Sequence, residues 1–260
     1  MIAINCPHLL SRGQPVFIPT SSHQHISIIH PYSLPVQVFA MAAPKFNVKI
    51  FSDNVCPWCF VGKRNLESAM KQFSTTQPND TPPIFNVSWK PFFLNVESPE
   101  TSDVPIKEYL ERKYGQHAGS RMATALERAG QATGIKFNNE RMVHNTIKSH
   151  RLVRLADGQG KGGDMIENLF QGYFEEGRNI ADVDVLLELA QKAGVSCTKE
   201  FLQGSEGKRE VLQEYERGVQ SQGITGVPYF VLSREGSKAT LPLSGGQPPE
   251  AFVEAFEALL

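Results

Sequence analysis

The sequence is poor in several things, and each shortage excludes a class of protein. It holds only 4 cysteines in 260 residues, Cys6, Cys56, Cys59 and Cys197. That is not the dense, regular spacing of a secreted disulfide scaffold. A reducing compartment is the expectation, with the single close pair serving chemistry. An excess of charge of either sign is also missing: 26 Lys and Arg against 27 Asp and Glu leave a formal net charge of -1. Nucleic acid or an anionic membrane as main partner usually demands a basic face, so neither is expected. No apolar run is long enough to span a bilayer. A zinc site built on Cys56 and Cys59 would need two more ligands at suitable spacing. Cys6 and Cys197 are isolated, so no metal is expected.

Acidic residues are absent from the first part of the chain, where the earliest is Asp53. The same stretch has one Arg, Arg12, and no Lys before Lys45. A transit peptide is acid-poor and Ser-rich, as this segment is, but also Arg-rich, as it is not. The apolar run 26–40 is broken by His30, Pro31 and Pro35, which makes a poor signal-peptide core. Met41 followed by Ala42, Ala43, Pro44 and Lys45 reads as an ordinary cytosolic start. Residues 1–44 are therefore expected to be a disordered leader or an untranslated one. The expected location is cytoplasmic, or mitochondrial should the leader be a transit peptide. His23, His25 and His30 read as a solvated tail.

What the chain does have is a 40% apolar content, enough for a core, and one organising stretch. Residues 46–51 alternate apolar and polar and predict a strand; residues 61–73 predict a helix without internal Pro. Between them lies Asp53-Asn54-Val55-Cys56-Pro57-Trp58-Cys59-Phe60. Two cysteines at a strand-to-helix turn have chemical consequences. The first helical turn carries N–H groups without intrahelical partners, and the helix dipole adds positive charge there. Cys-X-X-Cys thiols in such places have pKa values from about 3.5 to 7.5, against about 8.5 for free cysteine. Cys56, on the strand side, is expected to be the exposed nucleophile, and Cys59, one turn in, the buried resolving thiol. Pro57 suits the helix start because its missing N–H would have had no partner. Lys63 and Arg64 either favour a Cys56 thiolate or line a solvated face.

The remainder divides by pattern. Residues 77–83 read as a loop and 84–94 as a second strand, and strand–helix–strand suggests a parallel unit. From about 98 to 222 the pattern is helical, with helices predicted over 105–114, 120–132, 144–156, 164–176, 182–194 with Asp182 as cap, and 206–221. Residues 228–232 and 239–243 flank a turn at Glu235-Gly236-Ser237 and predict an antiparallel hairpin. Ser244-Gly245-Gly246-Gln247-Pro248-Pro249 leads into a closing helix with Phe252, Val253, Phe256 and Leu259 apolar.

The outline is βαβ, a helical block, then ββα, with Cys-X-X-Cys after the first strand. This predicts an α/β, thioredoxin-like fold with a large all-helical insertion: one half at 45–97, the insertion at 98–222, the other half at 223–260. In that fold a cis-proline opens the hairpin and faces the cysteine pair, which falls on Val227–Pro228. Val227 would then offer its backbone N–H and C=O to an extended peptide or glutathione by strand addition.

The sequence resembles the DsbA-like thioredoxin superfamily, in the FrnE-like branch that includes 2-hydroxychromene-2-carboxylate isomerases. The resemblance rests on residues 53–59 with Gly62-Lys63-Arg64, on Asn145-Thr146 with Ser149-His150-Arg151-Leu152, on 223–231, and on 244–248, and runs from about 46 to the end. It implies Cys56 and Cys59 as the catalytic pair and Pro228 as the cis-proline. Isomerase and kappa-class transferase relatives carry serine at the nucleophile position, so two cysteines favour dithiol–disulfide exchange. Trp58 is a candidate docking surface, or simple packing. Gly245, Gly246 and Gln247 precede a helix and are candidates to hold a carboxylate, such as the γ-glutamyl end of glutathione. Asn145 and His150 match the family and are further candidates. Expected partners are protein thiols and disulfides or glutathione; no cofactor is expected to be bound, and glutathione is a candidate co-substrate. The chain is expected to be a monomer or homodimer. Two rival functions remain: a glutathione-dependent isomerase or transferase for small aromatic compounds, and a non-enzymatic holdase or interaction module.

Overall fold

Phe46, Val48 and Ile50 all point to one face of a strand and are fully buried, as a period-two pattern over a core requires. In the computed structural model this strand, β1 (Lys45–Ser52), lies inside a four-stranded sheet. It pairs in parallel with β2 (Ile84–Pro91), from Lys45 opposite Ile84 to Ser52 opposite Pro91. On its other side it pairs antiparallel with β3 (Tyr229–Arg234), which forms the hairpin with β4 (Thr240–Ser244). The order is β2-β1-β3-β4. The structure describes residues 42–77, 81–99 and 104–260. Residues 1–41, with Cys6 and the leader histidines His23, His25 and His30 named above, lie outside the described residues, as does the middle of the 77–83 loop.

Helix α1 (Pro57–Thr76) and helix α9 (Pro249–Ala258) cover the Phe46 face. Phe46, Phe73 and Phe256 meet with ring centroids 5.1–5.5 Å apart. Between β2 and β3 come α2 (Ile106–Tyr114), α3 (Gln116–Thr133), α4 (Ile147–Gly158), α5 (Gly162–Phe170), α6 (Val183–Lys192), α7 (Lys199–Gln203) and α8 (Lys208–Gln222). This is the expected helical insertion. It clasps the cysteine-bearing helix: Phe60 of α1 packs on Phe170 at 5.1 Å and on Phe174 at 5.9 Å. Helix α8 reaches the opposite sheet face at Gly218, where a Cβ would stand 2.6 Å from the Phe51 ring.

Several boundaries differ from the sequence reading. Strand β2 stops at Pro91 rather than 94, because Phe92 and Phe93 turn onto Tyr215 of α8. The helix expected over 164–176 is two pieces, since α5 continues as a π-helical turn over Gln171–Glu175. That wider turn leaves Phe170, Tyr173 and Phe174 all buried, and sets Gly172 where a Cβ would be 3.2 Å from both Leu189 methyls. Short helix α7 was not expected; Thr198 caps it by accepting from the Phe201 N–H. Asp182 caps α6 as predicted, accepting from Asp184 and Val185 N–H at 2.9 Å each. Among the described residues no helix is long and apolar enough to cross a membrane.

Candidate functional site

Strand β1 delivers the chain into a tight turn, in which Cys56 N–H donates to the Asp53 carbonyl at 3.0 Å. Cys56 is the N-cap of α1, extended at φ -88, ψ 112, and Pro57 follows as the first helical residue. The first turn of α1 has no acidic residue and no side-chain cap. Its partial positive charge is therefore left for whatever stands at residue 56. A residue that usually caps by oxygen is here a sulfur, and as a thiolate it would take over that role.

Both cysteines are free thiols. The sequence leads one to expect an exposed Cys56; instead it is 4% exposed and Cys59 1%. The cause is the neighbouring loop: the Cys56 thiol donates to the Val227 carbonyl at 3.6 Å, and Val55, Trp58 and Val227 pack over the same core. Burial pushes the Cys59 thiol pKa well up, and the Cys56 sulfur beside it pushes the same way. The Ser52 hydroxyl opposes this; it lies close enough to favour a Cys59 thiolate, yet makes no hydrogen bond of proper geometry.

Across from the pair, the Val227–Pro228 peptide is cis. Helix α1 approaches it through Gly62, where a Cβ would stand 3.2 Å from Pro228 Cγ and 2.9 Å from Phe230 Cζ. Pro228 carbonyl accepts from Gly245 N–H at 2.8 Å, which ties the β4–α9 loop to the same point. Gly246 abuts Trp58: a Cβ there would be 3.2 Å from its Cε3. Asn65 of α1 donates to the Gln247 carbonyl at 2.8 Å. Cys56, Cys59, Trp58, Val227, Pro228, Gly245, Gly246 and Gln247 thus form one contiguous patch. Within it, the N–H groups of Gly245 and Gln247 are already committed, to Pro228 and Gly245 carbonyls.

Asn145 and His150 have other surroundings. Asn145 donates to the Ser98 and Val96 carbonyls at 2.7 and 3.3 Å and accepts from Ile147 N–H, so it braces a loop. His150 approaches the cysteine turn from behind: its Nε2 lies 3.6 Å from Asp53 Oδ1 and its ring stands edge-on to Phe93. Lys63 and Arg64 serve neither role foreseen for them. Lys63 is buried, and its ammonium lies 2.5 Å from Glu167, with Arg64 gripping the same carboxylate at 3.0 Å. Burial alone would raise the Glu167 pKa, but the hydrogen bonds and charges of Lys63 and Arg64 outweigh it and hold it down.

Sequence reasoning missed Ser52, Asp53 and Asn54 as a buried polar step beneath the pair. Asp53 accepts from Leu94 N–H at 2.7 Å, and Asn54 donates to Ser149 Oγ at 2.9 Å. The available signal was three polar residues in a row at the end of an apolar strand.

A family model for the DSBA-like thioredoxin domain matches residues 47–257. YwbO of Bacillus subtilis is 27% identical over 193 residues, covering 72% of this chain and 86% of its own. The crystal structure of a probable DsbA oxidoreductase from Streptomyces coelicolor is similar at TM-score 0.71 and 29% identity, over 82% of this chain and 89% of that one. The cytosolic disulfide reductase DsbM from Pseudomonas aeruginosa, solved with GSH, shares the fold at TM-score 0.54 and 18% identity, over 82% and 98%. The chain belongs to the DSBA-like thioredoxin domain family.

Proposed function

We propose that this DsbA-type chain is a thiol–disulfide oxidoreductase that works on protein or glutathione disulfides. The observation carrying this reading is the Cys56 thiol at an uncapped helix start, in contact with the carbonyl of Val227. Cys56 as thiolate attacks a substrate disulfide; one substrate sulfur leaves as thiol and the other stays bonded to Cys56. Cys59 then loses its proton and attacks the Cys56 sulfur. The internal disulfide forms, the second substrate thiol departs, and two electrons have passed to substrate. The reverse sequence oxidises a dithiol, and direction follows the pair's reduction potential against its surroundings.

In this reading Val227 hydrogen-bonds the substrate backbone, Pro228 holds it against Cys56, and Trp58 with Gly246 forms the adjoining wall. Gly245 and Gln247 shape that wall rather than bind with their N–H groups, since both are committed within the loop. Glutathione is the co-substrate we take for this patch, and a fold relative solved with GSH supports the choice. Keeping both sulfurs favours exchange over isomerase chemistry, which needs one thiol or glutathione alone. Turnover of insulin disulfides or glutathione disulfide by wild type and by Cys56→Ser tests the reading. Loss in the variant is expected; equal rates would refute it.

A further inference from the structure

The two edges of the sheet are finished differently. At one edge, β4 carries Pro242 at its centre, opposite Val231. Gly245 N–H bonds the Pro228 carbonyl, which sets the odd-numbered residues of β4 toward β3 and turns Pro242 outward. A proline there has no N–H to offer a further strand, one of the ways in which proteins blunt an edge. At the other edge, the first part of β2 has no such device. Ile84-Phe85-Asn86-Val87-Ser88 contains no proline and no charged residue, and Ile84 and Val87 are 45% and 37% exposed. Its backbone is turned outward as well. Ile84 N–H donates to the Pro44 carbonyl and Phe92 N–H to the Ser52 carbonyl. Even-numbered residues of β2 therefore spend their backbone groups on β1, and Phe85 and Val87 turn theirs away from it. Among the described residues β2 pairs with β1 alone, and the isolated bridge joins Pro105 to Met142, elsewhere. The insertion meets β2 toward its far end, where Trp89 lies edge-on to Phe170 and Lys90 reaches Glu214.

We propose that this edge is a dimer contact, with β2 of a second copy of the chain pairing antiparallel across a two-fold axis at Asn86. The proposal does not depend on the chemistry put forward above. Phe85 then stands opposite the partner's Val87, and Val87 opposite the partner's Phe85. All are outward residues, so each pair exchanges both N–H···O bonds, and Asn86 faces its own copy in the closer, non-hydrogen-bonded position between them. Neighbouring registers fail. An axis at Phe85 would set Val87 against Pro83, which has no N–H, and an axis at Val87 would set Phe85 against buried Trp89. Charge is complementary too: N–H dipoles meet C=O dipoles, and no like charges face each other across the axis. On the core face the Phe85 ring, stacked on Phe46 at 5.6 Å, gains a β-branched neighbour, a favourable cross-strand pair. A short strand pair falls below the ~1,600 Å² of a standard interface, so the dimer is a weak one, with Kd on the order of 10 µM. Since β1 runs parallel to β2, the two cysteine turns open at opposite ends of the joined sheet and neither is covered.

Sedimentation equilibrium of the full chain is expected to show a monomer–dimer equilibrium; a monomer at every concentration up to about 300 µM, well above the expected Kd, overturns the proposal. Val87→Pro gives β2 the blunting that Pro242 gives β4, at a residue whose N–H makes no bond to β1. It is expected to raise Kd about 10-fold to 100-fold, the worth of one donor lost from each copy. An unchanged Kd in the folded variant overturns the pairing. Asn86→Cys tests the register without disrupting it. Facing residues of a non-hydrogen-bonded pair have Cα atoms about 4.5 Å apart, within disulfide reach. Mild oxidation should therefore link two copies through residue 86, beyond the wild-type background on a non-reducing gel. Ser88→Cys, which this register sets opposite Ile84 and more than about 13 Å from its own copy, should not link. No linking through Asn86→Cys, or equal linking through Ser88→Cys, overturns the proposal.

Discussion

Gly62→Ala measures how tightly α1 must approach the cis-proline loop. Two effects oppose each other. Alanine is a better helix residue than glycine by about 1 kcal/mol, so the substitution should help an ordinary helix interior. Here the new Cβ would stand 2.9 Å from Phe230 Cζ and 3.2 Å from Pro228 Cγ. The Phe230 ring cannot retreat, because it is fully buried and edge-on to Phe252 at 4.8 Å. Overpacking of this sort costs about 1–3 kcal/mol, so the clash outweighs the helix gain at most sites in that range. The net loss is about 0–2 kcal/mol, which for a domain of this size lowers Tm by up to about 8 °C. The softer response is for the loop to move, which lengthens the 3.6 Å contact between Cys56 and Val227. Disulfide turnover should then fall on the order of 10-fold, since small misplacements near reacting groups are costly. Thermal melts and kcat/KM for glutathione disulfide check both parts. A variant that melts at or above wild type with full turnover would refute the packing argument.

Two further substitutions probe charge. Glu167→Gln removes the carboxylate shared by Lys63 and Arg64, leaves buried Lys63 with only the more exposed Glu67, and should cost about 1–3 kcal/mol by denaturant melt at neutral pH. Because the folded protein holds the Glu167 pKa down, its stabilisation is present above the ordinary value of about 4.3 and disappears as pH falls through the folded value. The variant should therefore show a flatter loss of stability on acidification. Asp157 is the opposite case: burial of its carboxylate, with Glu214 adding to it and Lys90 opposing, raises its pKa to about 6. A raised carboxyl costs stability as pH climbs through that value, so Asp157→Asn should raise Tm at about pH 8 and hardly at about pH 4. Part of the residue still reaches solvent, so screening keeps the gain below what the shift alone implies.

Much of the fold could be read along the chain because local pattern and tertiary role agree there. Phe46, Val48 and Ile50 announce β1 by alternation, Asp182 announces α6 by its cap, and Cys56 to Cys59 announce the helix start at the candidate site. The failures share one physical origin, contacts between residues far apart in sequence. Nothing near Lys63 and Arg64 foretells Glu167, so their charge was assigned to the thiolate or to water. Nothing near Gly172 foretells Leu189, so the π-helical turn read as plain helix. Exposure of Cys56 was misjudged because the covering carbonyl belongs to Val227. His150 stood out as a candidate, but its place behind Asp53 follows only from how α4 packs against β1 and β2.

The middle of the sheet joins two ends of the chain, with Phe46 opposite Arg234 and Phe51 opposite Tyr229. On the ribosome, β1, α1 and β2 emerge before the insertion, and all of the insertion follows before β3 exists. Translation at about 5–20 residues per second keeps one edge of β1 unmatched for roughly 10 to 35 seconds. Closing so long a loop also makes this pairing a slow, late event. Val227 arrives in the same final segment, so a nascent chain carries Cys56 and Cys59 without the carbonyl that covers Cys56. Such an unfinished polypeptide is exposed to adventitious oxidation during the very interval in which it cannot yet work as a catalyst.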